Sequence, residues 1–155
     1  RIVREDLLGK ARDITPVHAR PTSSLRTTNS MYNTPPCYSI YMCKLVLEWI
    51  KNFGGLEAMK LHNEKKASIL YDFLDGSKMF HNPVKKSDRS MMNVTFVTDS
   101  DELNAKFVKD AAEAGFVNLK GHRSVGGMRA SIYNAMPIEG VEKLVDFMTE
   151  FEKKN

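Results

Sequence analysis

The sequence predicts an α+β fold, a small, mostly antiparallel sheet with helices on one face. Three observations predict it. From Phe80 onward the apolar patterning runs strand, strand, helix, strand, strand, helix. Within 91–97, Asn93, Thr95 and Val97 alternate against Met92, Val94 and Phe96, the period of a half-buried strand. Behind Pro137, favoured in a first helical turn, Ile138, Val141, Leu144, Val145, Met148 and Phe151 keep helical spacing.

Taken in order, 1–4 suggests a strand and 5–9 a short turn. Residues 10–31 carry Pro16, Pro21 and many Ser and Thr, which predicts an irregular connection, of a length that is usually functional or disordered. A helix is expected over 36–53. Its polar residues Lys44, Glu48, Lys51 and Asn52 share one narrow stripe, and Ile40, Met42, Cys43, Leu45, Val46, Leu47, Trp49 and Ile50 cover the rest. So wide an apolar face implies burial from several sides, as in a spine helix between two layers or at a subunit contact. Gly54-Gly55 ends it. The next helix spans 56–74, with Leu56, Met59, Ala67, Leu70 and Leu74 inward and Gly76 as its stop. Pro83 restricts 79–84 to an edge strand. Asp99 with Glu102 resembles a capping box for a helix over 100–114, with Leu103, Phe107, Ala111 and Ala114 inward and Gly115 beyond its end. Strands are expected at 116–119 and 128–133.

The 155 residues are 42% hydrophobic and 27% charged, which suits one soluble globular domain. No apolar stretch is long enough to span a bilayer, and the start does not resemble a signal peptide. The net charge of +4 is mild. Lys60, Lys65, Lys66, Lys85 and Lys86 are scattered along helical faces, without the stripe a nucleic-acid partner would require. Cys37 and Cys43 on one helix lie roughly 9 Å apart, beyond disulfide reach. They are expected to be reduced, buried and cytoplasmic. His18, His62, His81 and His122 have no metal-ligand spacing. The chain opens on what looks like a strand already under way and closes on a polar tail, so an upstream part is expected.

The richest chemistry is Gly-His-Arg-Ser-Val-Gly-Gly-Met-Arg-Ala-Ser-Ile-Tyr-Asn at 121–134. Arg123 and Arg129 are forks suited to carboxylate or phosphate. His122 adds a hydrogen bond. Gly126-Gly127 lets a ligand or another backbone approach closely. A small dianion would need this equipment; a polar hairpin with surface arginines would show it too. Asn33-Thr34-Pro35-Pro36 at a helix start suits either a cap or a phosphate site. Ser124 and Ser131 have no evident base and acid, Glu139 and Glu142 look solvated, and the nine methionines suit core filling. Phosphate-loop and dinucleotide fingerprints are absent.

Three segments together, Ser30-Met31-Tyr32-Asn33-Thr34-Pro35-Pro36, Leu47-Glu48-Trp49-Ile50 and Gly121–Ser131, closely resemble the phosphoserine aminotransferase family. The similarity runs from Arg1 to the C-terminus in the family's order. The resemblance implies a pyridoxal 5'-phosphate enzyme of fold type I. It would transfer an amino group between L-glutamate and 3-phosphohydroxypyruvate, giving O-phosphoserine and 2-oxoglutarate in serine biosynthesis, as a homodimer. It implies that 1–35 end the large cofactor-binding domain, 36–53 form an interdomain spine helix and 54–155 form the small C-terminal domain. By position, Asn33 and Thr34 bind the cofactor phosphate of the neighbouring subunit. Arg129 grips the substrate α-carboxylate, and His122 and Arg123 help hold the phosphate or distal carboxylate. The lysine that carries the cofactor lies upstream in the family, so this stretch alone is expected neither to bind the cofactor nor to catalyse. The alternative is a non-catalytic anion-binding or assembly domain using the same arginines.

Overall fold

A computed structural model describes residues 4, 6, 9–16, 34–124 and 126–155. Their elements are α1 (Cys37–Asn52), α2 (Gly55–Gly76), β1 (Asn93–Phe96), α3 (Asp101–Glu113), β2 (Met128–Ser131) and α4 (Ile138–Lys154), with a 3-10 turn at Lys86–Asp88. The strand expected at 1–4 and most of the 10–31 connection lie outside the described residues, as does Asn33. The chain divides into two units, Arg1–Glu48 and Trp49–Asn155.

In the second unit, β1 and β2 pair antiparallel with Asn93 opposite Ser131, Val94 opposite Ala130, Thr95 opposite Arg129 and Phe96 opposite Met128. The alternation read from the sequence is present: Val94, Phe96, Met128 and Ala130 are buried, and their neighbours are half-exposed. Two expected strands shrink to single bridges, His81 to Val97 and Lys120 to Met128. At 79–84 the side chain of Asn82 replaces the backbone, its Nδ2 donating to Thr95 O at 2.7 Å. At 116–119, Asn118 takes the left-handed region at φ 62°, which breaks an extended run.

The core joins the sheet's inner face to α2, α3 and α4. Phe80, Phe96, Phe107 and Phe151 interlock, with Phe80–Phe107 and Phe107–Phe151 centroids 5.1 and 5.2 Å apart and edge-on. Leu70 and Leu74 from α2 and Val141, Leu144 and Met148 from α4 close it. Leu56 and Ala114, expected inward, are exposed because they lie at helix ends.

Helix ends follow local chemistry. Ser100, not Asp99, caps α3, its Oγ accepting from Leu103 N at 3.1 Å. At the far end Phe116 N donates to Ala111 O and Gly115 N to Ala112 O, with Gly115 at φ 93°, a Schellman closure.

α1 departs from expectation. It has no buried residue, and Tyr38, Ile40, Leu47 and Trp49 are exposed. Cys37 and Cys43 are free as expected, but exposed rather than buried. The burial foreseen for this helix is not supplied by the described residues. Methionine use is mixed: Met59, Met128 and Met148 fill core, while Met42, Met91 and Met136 are exposed. No described helix is long and apolar enough to cross a membrane.

Candidate functional site

β2 sets the position of Arg129. Its N–H donates to Leu119 O at 2.7 Å, away from β1, so Arg129 and Thr95 form a narrow, non-hydrogen-bonded pair. The pleat then sends Asn93, Thr95, Arg129 and Ser131 to the sheet's outer face, opposite the helices. Arg129 is half-buried, and its Nε is fully buried with no hydrogen-bond partner. Among the described residues no carboxylate pairs with Arg129 or with Arg123. A buried guanidinium donor without an acceptor is costly unless something supplies one.

The glycines beside this strand serve the backbone. A Cβ on Gly127, at φ 62°, would meet Val97 Cγ1 at 2.7 Å and Phe96 O at 3.0 Å. One on Gly121 would collide with Gly126 O. Of the two partners the sequence left open, ligand or chain, the structure supplies the chain. Gly121 N donates to Gly127 O at 2.9 Å and Gly126 N to His122 O at 2.8 Å, closing a tight turn that carries His122 and Arg123.

In that turn Ser124 Oγ lies 2.7 Å from His122 Nδ1, and Ser124 N donates to the same nitrogen at 3.3 Å. With Nδ1 the acceptor, the ring proton sits on Nε2, which becomes a donor. Ser124 thus has an imidazole neighbour that sequence reasoning missed. No carboxylate joins the pair among the described residues, so it is not a catalytic triad. His122 and Arg123 line a cleft of about 610 Å³ with Lys120, Gly121 and, from α3, Asp101 and Asn104. Arg129 is not among its lining residues. The structure therefore gathers His122 and Arg123 in one cleft and sets Arg129 on the sheet.

Of the pair ahead of α1, Asn33 lies outside the described residues; Thr34 is exposed. Pro35 and Pro36 carry no N–H, Cys37 N donates to Pro35 O and Ile40 N to Pro36 O. The first-turn amides of Tyr38 and Ser39, with the Thr34 hydroxyl, form a donor set suited to a phosphate.

Sequence reasoning missed a polar hub behind β2. Lys66, one of the lysines scattered along helical faces, is fully buried. Its Nζ donates to Tyr133 O at 2.7 Å and Met136 O at 3.0 Å, and burial pushes its pKa down from the usual lysine value. Asn63 Nδ2 donates to Asn134 Oδ1 at 2.8 Å. Both side chains share the α2 stripe of Met59, Ala67 and Leu70, and that position was the available signal. Arg89, stacked 4.7 Å over Tyr71, grips Asp75 at 2.6 and 3.0 Å. With Lys86 at 2.8 Å, it holds the Asp75 carboxyl well below the usual carboxylate range. This clamp fastens the approach to β1 onto α2.

The chain is 53% identical over 154 residues to a phosphoserine aminotransferase of Bacillus cereus, covering 99% of this chain and 42% of that one. The solved phosphoserine aminotransferase from Bacillus circulans subsp. alkalophilus superposes with a TM-score of 0.89 at 48% identity, covering 98% of this chain and 42% of that one. The PLP-bound phosphoserine aminotransferase from Trichomonas vaginalis gives 0.81 at 37% identity, over 90% of this chain and 40% of that one. The chain thus spans about two fifths of the length of these relatives. The model of the family described as aminotransferase class-V matches residues 2–144, and the chain belongs to that family.

Proposed function

We propose that this chain is the substrate-anion-holding part of a pyridoxal-phosphate-dependent phosphoserine aminotransferase. In the complete protein it serves amino transfer between L-glutamate and 3-phosphohydroxypyruvate, giving O-phosphoserine and 2-oxoglutarate. The observation that carries this reading is Arg129: a guanidinium on the sheet's outer face with no carboxylate partner among the described residues, its Nε buried and without an acceptor among them. A substrate carboxylate completes it through a bidentate pair.

Both substrates carry two separated anions. Arg129 takes the α-carboxylate common to them. Arg123, with the Nε2–H of His122 held in place by Ser124, meets the phosphate or the distal carboxylate. Arg129 is not among the residues lining the cleft of His122 and Arg123, and in this reading, which follows the family resemblance, the site is completed by a second subunit of a homodimer. Asn33, Thr34 and the first-turn amides of α1 hold the cofactor phosphate of that neighbouring subunit. When bound, pyridoxal phosphate supplies the electron sink that allows an amino group to pass between carbon skeletons. This chain's own residues bind the two anions and orient the substrate for that chemistry. In this reading 1–35 close the large domain, 36–53 are its spine helix and 54–155 are the small domain.

The test is the cofactor-loaded full-length protein with glutamate as donor and either 3-phosphohydroxypyruvate or pyruvate as acceptor. The phosphorylated acceptor is expected to be strongly preferred, and Arg123→Ala to erase most of that preference. Equal use of the two acceptors by the parent protein would refute the substrate assignment. Tight, saturable binding of O-phosphoserine by the 155-residue chain alone would favour the non-catalytic alternative.

A further inference from the structure

We propose that Asn93 is a second donor to the carboxylate that Arg129 holds, with its carboxamide fixed in orientation by Ser131 and Tyr133. The proposal rests on the carboxylate reading of Arg129 given above.

The register supplies the placement. Asn93 stands opposite Ser131 and Thr95 opposite Arg129, in two successive narrow pairs on the outer face. Diagonal neighbours of this kind are roughly 7–8 Å apart, within reach of one small ligand bridged by an extended arginine and a shorter amide. Asn93 Oδ1 accepts from Ser131 Oγ at 3.0 Å and from Tyr133 Oη at 3.3 Å. Two donors fill both acceptor positions of that oxygen. With both hydroxyls donating, Oδ1 is the committed end of the carboxamide. Nδ2 remains, with two N–H groups and no acceptor among the described residues. Asn93 is half-buried, so those donors are partly withdrawn from water.

The surrounding chemistry selects the ligand class. Thr95, Arg129, Ser131 and Tyr133 share this face, and none is acidic. Nε of Arg129 is buried without an acceptor among the described residues, and Nδ2 of Asn93 is a second donor on the same face that makes no hydrogen bond to them. A carboxylate offers two oxygens in one plane, one for each neighbour. The neutral amide adds directionality to the charge of the guanidinium, and so helps set how the substrate's α-carbon is presented.

Asn93→Asp in the cofactor-loaded full-length protein isolates the donor. Aspartate keeps an acceptor for Ser131 and Tyr133 but replaces Nδ2 with an oxygen that repels the anion. The expected result is a rise of about 30-fold or more in KM for glutamate and for 3-phosphohydroxypyruvate, with a smaller fall in kcat and an unchanged melting temperature. The double variant Ser131→Ala with Tyr133→Phe frees the carboxamide to rotate, and is expected to raise both KM values about fivefold while leaving Asn93 itself in place. A KM within twofold of the parent in Asn93→Asp overturns the proposal. So does a parent-like KM in the double variant, since charge alone would then explain the aspartate. Arg129→Ala run alongside separates the layers: if that variant retains parent KM values, the underlying carboxylate reading has failed, whatever Asn93 does.

Discussion

Two helices of nearly equal length, α1 with 16 residues and α4 with 17, meet opposite fates. α4 turns Val141, Leu144, Met148 and Phe151 into the core and leaves Glu139 and Glu142 in water. α1 is apolar around most of its circumference and buries nothing, with Tyr38 77% exposed and Leu47 59%. The difference teaches that apolar patterning states how much of a helix must be covered, and not what covers it. A one-sided stripe finds its partner within the same small sheet. A helix apolar on nearly all sides needs several partners, and the described residues provide none. The sheet repeats the contrast: its inner face is core, and its outer face carries an arginine without an acceptor.

Phe107→Ala removes the ring that touches Phe80, Phe96, Phe147 and Phe151, and is expected to cost about 3–5 kcal/mol. Loss of the cooperative denaturant transition would show it. Lys66→Ala should cost about 2–4 kcal/mol, since it leaves a cavity and strips Tyr133 O and Met136 O of their donor. A transition midpoint equal to the parent's would contradict that hub.

At α1's side the expected effect is on association. The 155-residue chain by itself should sediment as oligomers, because contiguous apolar surface of this kind drives self-association. Ile40→Lys with Leu47→Lys should restore a monomer. A monodisperse monomer from the unaltered chain would remove the contrast between the two helices.

The smallest effect concerns Asp75. Its carboxyl titrates below the usual range because Arg89 and Lys86 hydrogen-bond its charged form. A depressed folded pKa contributes stability that is complete above the unfolded value of about 3.9 and fades as pH falls below it. Asp75→Asn should therefore lower the melting temperature at neutral pH, and the gap to the parent should close under acid conditions. A gap independent of pH would point to lost packing instead.

Much of this was legible in the sequence. The β1 alternation, the α4 stripe and the Gly115 stop follow from periodicity and glycine chemistry, and each stands where expected. The losses have local causes. Asn118 adopts a left-handed backbone that residue type allows but does not demand, so a strand vanished at 116–119. The burial of Lys66 is not legible in the sequence because its carbonyl partners lie 67 and 70 residues away, beyond any window of pattern. Asn93 looked like an ordinary outer-face strand residue; only the register with Ser131 and the reach of Tyr133 give it a role. Arg123 and Arg129 were recognised by type, but whether they share a cleft depended on the turn closed by Gly121 and Gly127.

Steady-state kinetics of the cofactor-loaded full-length protein carrying Arg129→Ala read the carboxylate contact itself. Because glutamate and 3-phosphohydroxypyruvate share the α-carboxylate, kcat/KM should fall for both by about 100-fold or more, and by similar factors. A fall confined to one substrate, or a change within about threefold for both, would contradict a carboxylate held at Arg129.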